Sequence, residues 1–173
     1  YTFLGWDKEI PTTMPAENLT IKAKWKVNPY TITFVTGGGT PIAPITQDYG
    51  TALTAPDAPT KTGYTFTGWD KPFPAKMPAE DLTLTALWQA NRYTVTLNPN
   101  GGTVTPETVE VTYDQTYGTL PVPEREGYTF IGWYDGNAAI TTETPVTITA
   151  PQTLTARWNA KGDTPYTVEY YQQ

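Results

Sequence analysis

The side chains from which enzymes most often build nucleophile–base pairs are missing from this chain. The 173 residues include 17 Asp and Glu and 11 Lys and Arg, and they contain no His, no Cys and no Ser. The nucleophile–base arrangements that enzymes build from Ser, Cys and His are therefore absent, as are metal sites that use His or Cys ligands. Hydrolysis by a pair of carboxylates is the chemistry that remains.

The carboxylates do not recur as a catalytic pair would. The chain repeats itself, as shown below, and Asp70 of one copy is replaced by Tyr134 in the next. Between the two complete modules, only Asp48 and Asp114 hold comparable places. We therefore predict that the chain is not an enzyme and has no catalytic residues.

Two short segments look like ligand-binding loops but lack the residues that such loops need. The Asp-Gly-Asn segment at 135–137 lacks the spaced acidic ligands and the closing Glu of a calcium loop. A tight hairpin is the better interpretation of this segment. The three glycines at 37–39 lack the Lys, the Ser or Thr and the following helix of a phosphate loop. The sequence thus predicts no metal site and no cofactor.

The composition favours an all-β chain. Thr occurs 35 times, with 12 Tyr, 6 Trp and 5 Phe, and β-branched and aromatic residues suit pleated, half-buried strands. The formal net charge of −6 argues against a nucleic-acid partner. No segment approaches the roughly eighteen apolar residues of a membrane span. We expect no membrane insertion within this sequence, and any export signal or anchor would lie outside it.

One aromatic motif occurs three times. Tyr-Thr-Phe-x-Gly-Trp begins at Tyr1, Tyr64 and Tyr128, with spacings of 63 and 64 residues. A second landmark, Tyr-Thr followed by Ile or Val, begins at residues 30, 93 and 166. These landmarks indicate a tandem repeat whose period is long enough for each copy to have its own small core.

The repeat divides the chain into four parts. Residues 1–25 are predicted to be the C-terminal half of a module, 30–88 and 93–158 two complete modules, and 166–173 the first strand of a further module. The second complete module carries a six-residue insertion before Trp158. A second phase, which cuts the chain at 57–63 and 121–127, stays open.

Within each module, apolar and polar residues alternate with the period of a strand that has one dry face. The alternation is clearest in Tyr30, Ile32 and Phe34, and it recurs 63 residues later. Gly101 and Gly102 are predicted to form the turn that follows the first strand, because glycine permits a positive φ. The prolines leave room for at most one short helical turn in each module.

Glycines inside the aromatic motif predict a bulge. In a regular strand, the side chains of Phe66 and Trp69 would point to opposite faces. A bulge at Gly68 adds one residue and would bring Trp69 to the same face as Phe66. Gly132 is predicted to do the same in the next copy. We interpret the large aromatics as core, because a module of about 60 residues is short of buried area. These residues are Trp6, Trp25, Phe66, Trp69, Trp88, Phe130, Trp133 and Trp158. The alternative, an exposed aromatic platform for sugar rings, stays open.

The order of these motifs resembles the Listeria/Bacteroides repeat, also called the internalin B-repeat. The resemblance rests on Tyr-Thr-(Ile/Val)-Thr, Asn-Gly-Gly-Thr, Gly-Tyr-Thr-Phe-x-Gly-Trp and a Leu-Thr strand with a closing Trp, and it covers nearly the whole chain. The module at 30 departs from it with Thr-Gly-Gly-Gly-Thr. The resemblance implies tandem small β-grasp-like modules with mostly antiparallel sheets, in secreted or cell-surface bacterial proteins. It offers no catalytic residues.

Two functions follow from this picture. The first is a stalk or spacer, and the alternative is an adhesive module that binds a host protein or a glycan. Adjacent modules of the same chain are expected partners. We also propose that residues 166–173 of one molecule pair with the half-module 1–25 of another in a head-to-tail contact, because each supplies what the other lacks. The alternative, in which the half-module packs on the following module and the C-terminal strand packs locally or frays, stays open.

Overall fold

The computed structural model describes residues 1–162, and within this range the chain consists of strands and loops without a helix. The predicted strand at 166–173 lies outside the described residues. Eleven strands are formed between Thr2 and Ala160. They are β1 (Thr2–Trp6), β2 (Ala23–Lys26), β3 (Pro29–Val35), β4 (Ile45–Asp48), β5 (Tyr64–Trp69), β6 (Leu82–Ala90), β7 (Arg92–Asn98), β8 (Thr108–Thr112), β9 (Tyr128–Asp135), β10 (Ala138–Ile140) and β11 (Gln152–Ala160).

The two larger sheets have the same strand order. One is β4-β3-β6-β5, and the other is β8-β7-β11-β9 with β10 added at its edge. In both, the first and last strands of the repeat lie side by side and run parallel, with Ile32 opposite Leu82 and Leu97 opposite Leu154. The pairs β3–β4, β7–β8, β9–β11 and β9–β10 are antiparallel. The predicted fold class, mainly β with mostly antiparallel sheets, is confirmed.

The strand β10 accounts for part of the predicted insertion. It pairs with β9 through Ala138–Asp135 and Ile140–Trp133, and the four-stranded sheet has no counterpart to it. The Asp-Gly-Asn segment forms the turn between β9 and β10, with Gly136 at a φ of 53°. The segment is thus a tight hairpin, as the sequence indicates.

Contacts divide the chain into two compact units. The first comprises Tyr1–Lys61 and Phe66–Trp88, and the second comprises Thr62–Thr65 and the chain from Gln89 onward. The core of the first unit is formed by Ile32, Phe34, Met77 and Leu84. The core of the second is formed by Val95, Leu97, Val104, Val111, Tyr117, Trp133, Val146, Leu154 and Ala156. The alternating apolar residues of β3 and β7 therefore point into the two cores, as their period predicts.

The sheet formed by β1 and β2 has an uncovered apolar face. Phe3 is 45% exposed, Trp6 is 47% exposed and Trp25 is 58% exposed. The sequence predicts a core position for both tryptophans, and the structure leaves them exposed instead. The physical reason is that β1 is the only described strand beside β2. The corresponding strands of the complete repeats, β6 and β11, have β3 and β7 as parallel neighbours.

Candidate functional site: the aromatic motif of the repeat

A phenylalanine lies between two tryptophans in every copy of the aromatic motif. The ring of Phe66 is 5.2 Å from that of Trp69 and 5.6 Å from that of Trp88. In the next copy, Phe130 is 5.6 Å from both Trp133 and Trp158. All four contacts are edge-to-face, the arrangement that the charge distribution of aromatic rings favours.

The half-module keeps the same arrangement without a core behind it. Phe3 is 5.4 Å from Trp6 and 5.3 Å from Trp25, again edge-to-face. The aromatic cluster is therefore a local property of the two strands that carry it, and it forms even where its rings remain exposed.

A bulge inside the motif brings the phenylalanine and the following tryptophan together. In β9 the register against β11 shifts between Phe130, which faces Trp158, and Gly132, which faces Arg157. The unpaired residue is Ile131, one position before the glycine that the sequence analysis singles out. In β1 the register shifts between Phe3 and Gly5 in the same way. Gly68 has a φ of 133°, which glycine adopts readily.

The closing tryptophan of each complete repeat holds the turn that follows the first strand. Trp88 Nε1 donates a hydrogen bond of 2.9 Å to the carbonyl of Thr36. Trp158 Nε1 donates one of 3.0 Å to the carbonyl of Pro99. The indole nitrogens therefore satisfy backbone oxygens of the same repeat.

Two glycines of each turn serve different purposes. Asn100 and Gly101 have φ values of 48° and 88°, the positive pair that a tight hairpin turn requires. Gly102 is needed for space, because a Cβ at that position would lie 2.9 Å from Trp158 Cζ2 and 2.4 Å from the carbonyl oxygen of Glu124. Gly39 is its equivalent, with a Cβ that would lie 2.6 Å from Trp88 Cζ2. The glycine-rich turn and the closing tryptophan thus form one packed structure.

The predicted core residues of the complete repeats differ in burial. Trp133 is 3% exposed, and its Nε1 donates a 2.8 Å hydrogen bond to the carbonyl of Pro121. The others are half-buried and pack against the buried clusters or against each other; they are Phe66, Trp69, Trp88, Phe130 and Trp158. Their rings close the edge of each core.

The sequence analysis missed one core position of the repeat. Met77 is 1% exposed and Val146 is fully buried. Each connects its segment to the end of the first hairpin through two backbone hydrogen bonds, which join Met77 to Gly50 and Thr51, and Val146 to Asp114 and Gln115. Met77 has only alanines in alternation with it, and Val146 alternates only with Ile148, so neither segment has the periodicity of a full strand. The recurring place before the last strand was the only available signal.

A buried tyrosine begins a short polar chain in the second unit. The hydroxyl of Tyr117 donates to Oε1 of Gln152, whose Nε2 donates a 2.8 Å hydrogen bond to Oδ2 of Asp135. Burial raises the pKa of Tyr117, and the negative charge of Asp135 raises it further. The phenol is thus kept protonated, which suits a structural donor.

An open groove lies at the end of the second unit. It has a volume of about 460 Å³ and is lined by residues 122–126, 128–130, Trp158 and Lys161; we call it the Tyr128 groove. Arg125 stacks on the ring of Tyr128 with 3.8 Å between the guanidinium carbon and the ring centre. The groove therefore combines aromatic surface with a cation. Its side chains of the types used in acid–base or nucleophilic catalysis are Glu124, Glu126, Tyr128 and Lys161.

Within residues 1–162, no group of three or more carboxylates is arranged to hold a metal ion. The same residues include no helix long and apolar enough to cross a membrane.

The fold and the repeated aromatic motif define a tandem array of small β repeats. The model of the Listeria-Bacteroides repeat domain family matches residues 30–87 and 93–157. The chain belongs to this family, as the resemblance of its motifs indicates.

Bacterial relatives share the repeat. The chain is 36% identical to a protein of Evansella cellulosilytica that is named as a membrane protein, in an alignment of 177 positions that covers 96% of the chain. It is 44% identical over 89 residues, 46% of its length, to Internalin H of Listeria monocytogenes. It spans 26% of the first relative and 16% of the second, so it corresponds to only a part of each.

A solved structure, domains 3–4 of the Streptococcal High Identity Repeats in Tandem of a cell surface protein, aligns with 77% of this chain and 98% of its own. The TM-score is 0.27 at 17% identity.

Proposed function

We propose that this chain is a non-enzymatic repeat array that serves as a stalk or spacer in a cell-surface or secreted bacterial protein. The observation that carries the proposal is how the large aromatics of each complete repeat are used. Phe66 and Phe130 lie between two tryptophans, and the closing indoles donate to their own turns. Side chains that an enzyme or receptor would direct at a ligand are here directed at the fold of the repeat itself.

The names of the relatives support the location. One is an internalin of Listeria and another is named as a membrane protein, which agrees with an array held outside a bacterial cell. We propose the same division into modules as the sequence analysis, with complete modules at 30–88 and 93–158.

The spacer function is tested by changing the number of repeats. A variant in which residues 89–158 are duplicated in tandem is compared with the parent chain by small-angle X-ray scattering. A spacer predicts that the maximum dimension increases with the added repeat while the circular dichroism spectrum stays that of strands. An unchanged maximum dimension would contradict the proposal.

The Tyr128 groove favours a second function, adhesion. The aromatic rings of the groove are half-buried, and their accessible part beside a cation is a surface on which sugar rings or protein side chains can pack. The test is binding of the whole chain to a glycan array and to a panel of extracellular matrix proteins, followed by Tyr128→Ala and by Thr96→Ala on the polar face of β7 as a control. Adhesion through the groove requires a bound partner that only Tyr128→Ala releases.

The exposed face of the half-module supports the proposed head-to-tail contact. Phe3, Trp6 and Trp25 form an apolar surface beside a strand edge, β2, of the kind that takes a parallel neighbour in both complete repeats. Residues 166–173 have the sequence of such a neighbour, Tyr-Thr-Val followed by Glu.

A further inference from the structure

The first two residues of the aromatic motif make contacts outside the aromatic cluster, and these contacts occur twice. In the first unit, Thr2 Oγ1 donates a 2.6 Å hydrogen bond to Asn28 Oδ1, and the ring of Tyr1 meets that of Tyr49 edge-on at 6.1 Å. The backbone amide of Tyr49 donates a 2.9 Å hydrogen bond to the carbonyl of Asn28. Asn28 belongs to the short linker between β2 and β3.

The second unit repeats each of these contacts. Thr65 Oγ1 donates a 2.6 Å hydrogen bond to Asn91 Oδ1, and the backbone amide of Tyr113 donates a 2.9 Å hydrogen bond to the carbonyl of Asn91. The ring of Tyr113 meets that of Tyr64 edge-on at 5.6 Å. The same residue types at corresponding positions thus make the same three contacts in two independent places.

Further contacts are formed in the second unit. The hydroxyl of Tyr64 donates a 2.5 Å hydrogen bond to Asp114 Oδ2, which raises the pKa of Tyr64. The backbone amide of Asn91 donates to the carbonyl of Gly63 at 2.9 Å. These contacts agree with the division of the chain into compact units, in which Thr62–Thr65 belong to the second unit together with Asn91 and Tyr113.

The glycine before the motif shows how closely the tyrosine approaches. A Cβ on Gly63 would lie 2.3 Å from the ring of Tyr113, a distance that real side chains do not reach. Gly127 is its counterpart in the next copy and has nearly the same φ, 74° against 75°. No described residue lies within 4 Å of a Cβ on Gly127. The two glycines thus share a backbone conformation, and only Gly63 has a tyrosine ring packed against it.

We propose that the start of each aromatic motif, Gly-Tyr-Thr, together with the linker asparagine, is a docking surface for the tyrosine that ends the first hairpin of the following repeat. The partner that fits is another repeat of this family, recognised through a tyrosine at the position of Tyr49 or Tyr113. This goes beyond the proposed function, because the surface would join repeats whether the array is a spacer or an adhesive.

The linker asparagine specifies the docking surface through its two oxygens. Its side-chain oxygen accepts from the threonine of the preceding motif and its backbone oxygen accepts from the tyrosine amide of the following hairpin. Lys161 holds the corresponding place after the last described repeat, where its amide donates to the carbonyl of Gly127 at 2.9 Å. A lysine has no side-chain acceptor for Thr129, so this copy lacks the asparagine contact.

The test compares Gly63→Ala with Gly127→Ala in the whole chain. Both substitutions force an alanine into the same positive φ, and only the first collides with Tyr113. Amide hydrogen exchange measured by NMR should show the Asn91 and Tyr113 amides exchanging about tenfold faster in Gly63→Ala. The amides of Val95 and Leu97 serve as an internal control and should not change. In Gly127→Ala, the Asn91 and Tyr113 amides should remain protected.

A second pair of variants keeps the proposal falsifiable if Gly63→Ala does not fold. Thr65→Val removes only the side-chain hydrogen bond to Asn91, and Asn91→Ala removes its acceptor. The docking surface predicts that the double variant exchanges at Tyr113 no faster than Asn91→Ala alone, because the two residues form one contact. Unchanged Tyr113 exchange in Asn91→Ala, or equal Tyr113 exchange in Gly63→Ala and Gly127→Ala, would overturn the proposal. The proposal would also be overturned if the two substitutions each accelerated Tyr113 exchange and their factors multiplied in the double variant.

Discussion

At the scale of single residues, the closing tryptophan explains why a glycine recurs beside a turn that does not need its conformational freedom. Gly102 has an ordinary φ, and its hydrogen leaves room for the indole of Trp158 and for the carbonyl of Glu124. The indole nitrogen in turn donates to Pro99. Sequence reasoning attributes both glycines of this turn to positive φ, which holds for Gly101. The second glycine is required by packing between residues about 56 positions apart, which no local pattern reveals.

This close approach gives the first prediction. Gly102→Ala should destabilise the second unit by about 1–3 kcal/mol, because a methyl group is forced into occupied space. Chemical denaturation followed by tryptophan fluorescence measures the change. Gly162→Ala is the matched control, since no described atom lies within 4 Å of its Cβ, and it should stay within about 0.5 kcal/mol of the parent chain. Equal stability of the two variants would show that the turn can move away from the indole.

The buried phenol of Tyr117 gives a prediction about pH. Because its pKa is raised in the folded chain, the protonated form favours folding. This contribution is fully present below the unfolded pKa of about 10 and is lost as the pH rises through the folded pKa. Tyr117→Phe should cost about 0.5–1.5 kcal/mol at neutral pH through the lost hydrogen bond to Gln152.

The same variant should lose less stability than the parent chain as the pH rises above about 10. Urea denaturation at neutral and alkaline pH measures both effects. Tyr134→Phe, whose ring lies under Arg157, controls for the loss of one phenol. A parent chain and Tyr117→Phe variant with parallel pH profiles would contradict the assigned cause of the raised pKa.

At the scale of elements, the strands were predictable and their pairing was not. The alternation around Ile32 and Phe34 gives the dry face of β3, and the turn residues give the hairpin to β4. The parallel pairing of β3 with β6 joins residues about 50 positions apart. The alternation of apolar and polar residues predicts which face of a strand is buried, and it does not predict which strand lies beside it. The bulge was predicted to within one residue, at Gly132 where the unpaired residue is Ile131, because a return of Trp133 to the face of Phe130 requires one extra residue.

The segment before the last strand shows where periodicity fails. Met77 and Val146 are buried, yet Met77 lies among alanines and prolines and Val146 alternates only with Ile148. The sequence leaves room for one short helical turn in each module, and the structure has no helix in the Met-Pro-Ala-Glu segment at 77–80. Its order comes instead from backbone hydrogen bonds to the hairpin end.

This segment gives the third prediction. Met77→Ala should destabilise the first unit by about 2–5 kcal/mol, the usual cost of truncating a fully buried side chain. Met14 holds the same place in the half-module and is 94% exposed, so Met14→Ala should change stability by less than about 0.5 kcal/mol. Thermal unfolding followed by circular dichroism compares the two variants. Similar shifts for both would mean that Met77 is not part of a core specific to the complete repeat.

At the scale of the whole molecule, two cores are built on one plan. In each, the first and last strands of the repeat pair in parallel at the centre of the sheet. The antiparallel hairpin strand lies beside the first strand, and the strand of the aromatic motif lies beside the last. The half-module contains the motif strand and the last strand and leaves their apolar face exposed. An exposed face of this kind is a site for association.

The last prediction concerns that face. If residues 166–173 of one molecule pair with β2 of another, the contact is heterologous and does not close, so mass should increase with concentration instead of stopping at a dimer. Light scattering over a range of concentrations should show this increase for the whole chain and its loss when residues 166–173 are deleted. Trp25→Thr, which removes the largest exposed ring from β2, should weaken association with the tail present. Association that survives the deletion, or a chain that stays monomeric with its tail, would refute the head-to-tail contact.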